Sequence, residues 1–237
     1  MAFNLQTFKT RALTSVVFVV VMLVGLLWNG WSFLVLFVII HFGCWFEFVK
    51  LIIKISPRKY QYYLPLGFVY ITLPILMMLS LGAYNSERIR YYNFNMWEKF
   101  NELHYSFVLP CGIFFSIWIN DTMAYIVGSF IGKTPFSKIS PKKTWEGTSG
   151  GAVLCIIVIS WLGLLLKYFT LKDLICISSI CAVFGTLGDL LESKLKRIAG
   201  VKDSGTVMPG HGGFLDRFDS FLIATPAVWL YIVWFKT

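Results

Sequence analysis

Long apolar runs separated by short polar segments dominate the chain, and residues 16–27 carry no polar side chain at all. A helix that crosses a bilayer needs about 20 largely apolar residues. The pattern predicts seven such spans, at about 13–28, 31–49, 61–81, 107–131, 150–169, 174–191 and 219–235. Transmembrane β-strands would instead alternate apolar and polar positions over about 10 residues. The predicted fold is therefore an all-α, polytopic transmembrane helical bundle of about seven spans, within a range of six to nine.

Polar residues interrupt one of these spans, 107–131. Asn120, Asp121 and Thr122 lie in its middle, and Gly128 and Gly132 close it. Two half-helices and one tilted helix both fit this pattern. The sequence leaves the two alternatives open.

Composition supports a membrane protein, since 57% of the 237 residues are hydrophobic and 14% are charged. These values exclude a large soluble catalytic domain and a disordered chain. The five cysteines all lie in apolar runs and show no CxxC or CxxH spacing. We interpret them as small core residues rather than metal ligands or disulfides.

The basic residues fix the expected orientation of the spans. With a cytoplasmic N-terminus, 15 of the 21 lysines and arginines fall on the cytoplasmic side, and the other six are Arg88, Arg90, Lys99, Lys167, Lys172 and Lys236. Cytoplasmic loops are enriched in Lys and Arg. The net charge of +9 is then concentrated on one face, where it would meet anionic lipid or an anionic soluble substrate. No recognition motif for nucleic acid is found.

The stretch 83–106 is polar and rich in aromatic residues, and we interpret it as an outside loop resting on the membrane interface. It separates two predicted regions. Residues 1–106 would hold the N-terminal transmembrane helices and this loop. Residues 107–237 would form the catalytic transmembrane region, with cytoplasmic loops 132–149 and 192–218.

A stripe of polar residues begins at Asp189, near the inner end of the sixth span. Helical spacing places Glu192, Ser193, Lys196 and Arg197 on the face of Asp189. Carboxylates inside a bilayer are costly and are normally paired, hydrated or bound to metal. The alternative is an ordinary helix end, in which the basic side chains extend to the interface.

A glycine-rich loop follows this stripe and ends in two carboxylates one helical turn apart, Asp216 and Asp219. Glycines at 200, 205, 210, 212 and 213 let backbone N–H groups approach a phosphate. Two carboxylates at this spacing suit Mg²⁺ coordination. Asp216 as a plain N-cap of the seventh span is the alternative, but an N-cap explains neither Asp219 nor the glycines.

The second inside loop, 132–151, has the same ingredients. Pro141 stiffens it, Lys142 and Lys143 offer two ammonium groups, and Gly147, Gly150 and Gly151 permit close helix packing. A basic juxtamembrane loop without further function is the alternative. Two such loops on one side of the membrane, beneath embedded aspartates, predict a site where a phosphorylated, metal-bound, soluble substrate meets a molecule in the bilayer.

These segments resemble a known signature. Residues 193–197 (SKLKR), 202–205 (KDSG) and 209–219 (PGHGGFLDRFD) are similar in order and spacing to the signature of phosphatidate cytidylyltransferases, the CDP-diacylglycerol synthases. Residues 139–147 resemble a second motif of that family, and 120–128 the segment before it. The resemblance covers roughly residues 115–225.

The resemblance implies transfer of a cytidylyl group from CTP to phosphatidic acid, with Mg²⁺ as the cofactor and a second metal ion left open. The residues expected to act in catalysis are Asp189, Ser193, Lys196, Arg197, Lys202, Asp203, His211, Asp216, Arg217 and Asp219. Of these, Asp189, Asp216 and Asp219 would bind the metal. The residues expected to bind substrate are Asp121, Ser140, Lys142, Lys143, Ser204, Gly205, Gly210, Gly212 and Gly213.

Three alternatives stay open at this point. A CTP-dependent polyprenol or dolichol kinase would transfer the γ-phosphoryl group instead. An ion-coupled transporter would use Asp121 and Asp189 as relays, but it leaves both glycine-rich loops unexplained. A shortened paralogue would bind substrate without catalysis. We expect a bacterial inner membrane with the site facing the cytoplasm, and Gly150 and Gly151 leave room for a homodimer contact.

Overall fold

A computed structural model describes residues 5–84, 105–137, 139–207 and 212–236. Its helices are α1 (Leu5–Leu27), α2 (Gly30–Ile55), α3 (Tyr60–Gly82), α4 (Val108–Ile131), α5 (Trp145–Leu166), α6 (Leu171–Ile198) and α7 (Leu215–Lys236). Within these described ranges there is no strand, and Pro135 and Thr144 form an isolated antiparallel bridge. The predicted all-α fold is confirmed.

Six of the helices, α2 to α7, are long and apolar enough to cross a membrane, and α1 contributes a shorter apolar helix, Ala12–Leu27. Large apolar side chains are exposed on the outside of the bundle, among them Phe130, Trp161 and Trp234. Such side chains suit contact with lipid. The chain is a multi-pass membrane protein, as its sequence predicts; the direction in which it crosses the bilayer stays a prediction.

The interrupted fourth span is one continuous helix. Helix α4 runs unbroken through Asn120 and Asp121 to Ile131, and Gly132 is its C-cap. The Asn120 side chain is buried. Of the two alternatives that the sequence left open, the structure shows a single helix.

Helix α3 changes its geometry along its length. A 3₁₀ turn at Tyr60–Tyr63 and an α-helical turn at Leu64–Gly67 precede a π-helical turn at Phe68–Thr72. Pro74, which has no N–H to donate, follows directly in the next α-helical segment. Wide turns of this kind occur often at functional sites, and Tyr70 lies within this one.

Glycines set the closest helix contacts. A Cβ at Gly147 or Gly151 would overlap the backbone of Ala124, and one at Gly188 would overlap the carbonyl oxygen of Asp219. Only glycine therefore lets α5 approach α4, and α6 approach α7, this closely. The predicted packing role of Gly147 and Gly151 is confirmed. Gly150 and Gly151 face α4 within one chain, and the homodimer stays a prediction.

One aromatic core joins the two predicted regions. The ring of Phe37 in α2 lies 5.6 Å from that of Phe221 in α7, and Phe114 of α4 stacks on Phe221 at 5.1 Å. The division at residue 106 stays a prediction. The predicted outside loop falls almost entirely on residues 85–104, which lie outside the described residues.

Candidate active site

Three carboxylates gather where α6 and α7 lie closest together. Asp189 and Glu192 of α6 and Asp219 of α7 each offer one oxygen within 4.8 Å of the others. Glu192 is fully buried, and the two aspartates are half-buried. We call these three residues the carboxylate cluster.

Helical periodicity and close helix packing together form the cluster. Asp189 and Glu192 are three residues apart and so share one face of α6. Gly188 lets the backbone of Asp219 come against that face. Asp219 lies in the second turn of α7, and its carboxylate accepts a hydrogen bond from the N–H of Ser220 at 2.5 Å. Close helix packing therefore brings a third acidic group to a pair that helical periodicity already supplies.

Two lysines contact the cluster from different segments. Lys143 forms an ion pair with Asp189, and Lys196 forms one with Glu192. A short antiparallel turn positions Lys143, since the N–H of Phe136 donates to its carbonyl at 2.7 Å and the N–H of Trp145 donates to that of Thr134 at 2.9 Å. The two inside loops predicted to converge are thus brought to one site.

Asp216 has a different set of partners. One oxygen pairs with Lys196 at 2.6 Å, and the other accepts the N–H groups of Ser204 at 2.9 Å and Gly213 at 2.8 Å. It lies inside the first turn of α7, so it is not an N-cap. Asp216 ties the glycine-rich loop to Lys196, while Glu192 lies with the two other predicted metal ligands. The metal role of Asp216 stays a prediction.

Glu47 of α2 is a carboxylate that the sequence reasoning missed. It is 1% exposed and accepts hydrogen bonds from the Ser204 hydroxyl at 2.7 Å and from the N–H groups of Phe214 and Leu215, both at 2.9 Å. A lone acid inside an apolar span is the same feature that singled out Asp189. Applied to the second span, it would have found Glu47.

Two further polar groups interact electrostatically with the cluster. The carboxylate of Asp121 interacts electrostatically with Lys143 and Asp189, and Asn120 donates a weak hydrogen bond to it at 3.4 Å. The hydroxyl of Tyr70 is buried and interacts electrostatically with Asp219, Glu192 and Asp189. Helices α3 and α4 thus add polar groups around the cluster formed by α6 and α7.

The remaining predicted residues lie around this centre. Ser193 donates to Asp189 at 3.2 Å, and Arg197 donates to the carbonyl of Val201 at 3.2 Å. Exposed side chains belong to Lys142, Lys202, Asp203 and Arg217, and Ser140 is half-buried. Gly205 and Gly213 pack against Glu47, and Gly212 has a φ of +83°, which favours glycine. His211 and Gly210 lie outside the described residues.

The donor set determines what this site could hold. Three clustered carboxylates provide oxygen ligands of the kind that Mg²⁺ prefers, and Mg²⁺ usually takes few protein ligands and completes its shell with water and substrate phosphates. Lys143 and Lys196 add ammonium groups that favour phosphate. The carboxylate cluster between α6 and α7, with the basic inside loops beside it, therefore suits a phosphorylated substrate.

Known proteins are similar in sequence to the part of the chain that holds this site. The sequence model of the cytidylyltransferase family matches residues 91–235. A phosphatidate cytidylyltransferase of Staphylococcus haemolyticus is 44% identical over 123 residues, which are 51% of this chain and 47% of that protein. Those of Bacillus subtilis (45% over 122 residues) and Synechocystis sp. (43% over 123) match 51% of this chain and 45% and 41% of their own lengths.

The chain thus spans about half the length of the curated relatives it matches. The family match includes α4 to α7, the carboxylate cluster and both inside loops, and it excludes α1 to α3 with Glu47 and Tyr70. Because the match extends over more than half of the chain, the chain belongs to the cytidylyltransferase family.

Proposed function

We propose that this chain is an integral membrane phosphatidate cytidylyltransferase, which converts CTP and phosphatidic acid to CDP-diacylglycerol and pyrophosphate in phospholipid synthesis. The carboxylate cluster, with Lys143 and Lys196 beside it, is the observation that carries this proposal. The relatives at 43–45% identity are phosphatidate cytidylyltransferases, which supports the same reaction.

The metal site of this proposal consists of Asp189, Glu192 and Asp219. We propose Glu192 in place of Asp216 as the third ligand, because both oxygens of Asp216 already have partners in Lys196 and the glycine-rich loop. Mg²⁺, when bound, supplies positive charge that offsets the charge of the nucleotide and of the departing pyrophosphate.

The reaction joins a phosphate oxygen of phosphatidic acid to the α-phosphorus of CTP and breaks the bond from that phosphorus to pyrophosphate. Lys143 and Lys196 would bind phosphate oxygens and offset their charge. Asp216 would hold Lys196 and the loop in place through its bonds at 2.6–2.9 Å. Asp121, which interacts electrostatically with Lys143, would help to orient it.

Labelled CTP tests the reaction class. The purified protein in detergent, given phosphatidic acid, Mg²⁺ and CTP labelled at the α-phosphate, should move the label into lipid and release pyrophosphate. Label that enters lipid only from the γ-phosphate would establish a CTP-dependent lipid kinase instead. No transfer from either position would contradict an enzymatic role and favour a non-catalytic relative or an ion-coupled transporter.

We also propose that the site faces the cytoplasm of a bacterial cell. The basic residues gathered on the predicted inner loops support this orientation. A single cysteine placed at exposed Lys202, in a chain whose native cysteines have been replaced, should react with a membrane-impermeant maleimide only after the cells are opened. Labelling of intact cells at this position would reverse the orientation.

A further inference from the structure

Glu47 lies in the middle of α2, an apolar helix outside the segment that the family model matches. Its carboxylate is nevertheless joined to the glycine-rich loop by three hydrogen bonds of 2.7–2.9 Å, to Ser204, Phe214 and Leu215. Burial of an ionisable group at 1% exposure is costly unless such partners offset it. The hydrogen bonds from the loop therefore stabilise the buried carboxylate of Glu47, and the same bonds hold the loop against α2.

The bonds to Phe214 and Leu215 replace a local helix cap. The first N–H groups of a helix have no partner within it, and a Ser, Thr, Asp or Asn at the N-cap usually accepts one of them. Phe214 precedes the first residue of α7 and has no side-chain acceptor. Glu47, from a distant part of the chain, supplies the missing acceptor.

Glycines around Glu47 show that the fit is close. A Cβ at Gly205 or Gly213 would overlap the carboxylate of Glu47. One turn earlier in α2, a Cβ at Gly43 would meet the ring of Phe214 at 2.5 Å. The loop and α2 are therefore fitted to each other along two turns of the helix.

We infer that Glu47 is a positioning residue for the reaction: it anchors the glycine-rich loop and the start of α7 so that Asp216 and Asp219 face α6. The link continues because the Ser204 hydroxyl lies within 2.9 Å of both the Glu47 and the Asp216 carboxylates, and Asp216 in turn holds Lys196. This inference rests on the proposed function only for its kinetic test.

The substitution Glu47→Gln tests it, because glutamine keeps the size but places an N–H₂ where two backbone N–H groups and a hydroxyl need acceptors. We expect hydrogen exchange of the Phe214 and Leu215 amides to rise at least tenfold, and kcat to fall about 10- to 100-fold with a smaller change in the KM for CTP. The exchange measurement does not depend on activity, so it separates a failure of this inference from a failure of the proposed function.

The matched control is Asp173→Asn, which also removes a buried carboxylate charge, but at the other end of α6. It should lower the thermal midpoint while leaving exchange at residues 212–216 and activity per folded molecule unchanged. If Glu47→Gln behaves as this control does, the positioning role is wrong and Glu47 is only structural.

Should Glu47→Gln not fold, Ser204→Ala cuts the same link with less damage. Its control is Ser178→Ala, a buried serine whose hydroxyl donates within its own helix to the carbonyl of Leu174 at 2.6 Å. Faster loop exchange and lower kcat in Ser204→Ala alone would support the anchor. Equal behaviour of the two serine variants would overturn it.

Discussion

The two ends of the α6–α7 pair solve the problem of a carboxylate in a membrane helix in opposite ways. At one end Asp173 accepts hydrogen bonds from Thr170 at 2.6 Å and Tyr231 at 2.9 Å, and pairs with Lys236 at 2.6 Å. At the other end, Asp189, Glu192 and Asp219 lie together with Lys143 and Lys196 as their cationic partners.

The difference separates a carboxylate that is fully paired within the fold from the carboxylates that we propose as metal ligands. At the Asp173 end, two hydroxyl groups and one lysine satisfy the single carboxylate, so no further cation is needed there. The cluster end holds more carboxylate oxygens than its two lysines neutralise, and Lys196 also serves Asp216. Acidic groups this close repel one another unless a cation joins them, which supports the metal site that we propose at the cluster end.

The largest effect should come from Glu192→Gln, which removes one proposed metal ligand. We expect a loss of cytidylyl transfer of about 100- to 1,000-fold, because the site then stabilises less charge in the transition state. Label transfer from α-labelled CTP to lipid measures it. A variant with activity near wild type would remove Glu192 from the metal site.

Asp173→Asn sharpens the same comparison. It breaks the ion pair with Lys236 and the capping bond to Thr170, and should lower the free energy of unfolding by about 1–3 kcal/mol. Activity per folded molecule should stay constant. If transfer instead falls as far as in Glu192→Gln, the two ends of the helix pair do not differ in function.

Metal binding should also stabilise the fold from the cluster end alone. At a Mg²⁺ concentration 100-fold above its Kd, a ligand that binds only the folded state stabilises it by about 2.7 kcal/mol. We expect a rise in the thermal midpoint with Mg²⁺ in the wild type, in Asp173→Asn and in Asp216→Asn, and its loss in Glu192→Gln. If Asp216→Asn instead loses the Mg²⁺-dependent rise and Glu192→Gln keeps it, Asp216 rather than Glu192 is the metal ligand.

Much of this arrangement could be predicted from the sequence. Apolar runs predict the seven helices, because span length follows from bilayer thickness. Helical periodicity places Asp189 and Glu192 on one face, and the spacing of Asp216 and Asp219 points to a second acidic segment. Such features depend on neighbours a few residues apart, which a sequence shows directly.

Other features depend on tertiary contacts, which periodicity does not show. The sequence predicts a metal role for Asp216, which stays a prediction, but it does not show that the loop approaches Lys196 and gives this carboxylate other partners. A lone acid in an apolar span could single out Glu47, but its link to the glycine-rich loop could not be predicted, because its partners lie more than 150 positions away. The packing of α6 on α7 at Gly188, and not local spacing, brings Asp219 to Glu192.

Lys143 should contribute more than its neighbour Lys142, although the sequence treats the two alike. Lys143 is half-buried and paired with Asp189, while Lys142 is exposed. We expect Lys143→Ala to lower kcat/KM for CTP about 10- to 100-fold, the range for loss of a charged hydrogen bond, and Lys142→Ala to change it by less than about threefold. Steady-state kinetics of both variants measure this difference. Equal losses of kcat/KM would mean that the total charge of the loop, and not the ion pair of Lys143 with Asp189, determines CTP binding.

The smallest effect tests the packing that brings the cluster together. Gly188→Ala places a methyl group against the Asp219 carbonyl, whereas at Gly185 a Cβ would lie an ordinary 3.5 Å from Ser220. Overpacking costs about 1–3 kcal/mol, so Gly188→Ala should lower the thermal midpoint and weaken the Mg²⁺-dependent shift by moving Asp219 away from Glu192. Gly185→Ala in the same helix should do neither. If both glycines tolerate alanine equally, close approach at Gly188 does not set the geometry of the carboxylate cluster, and Asp219 must be placed by the anchor at the start of α7 instead.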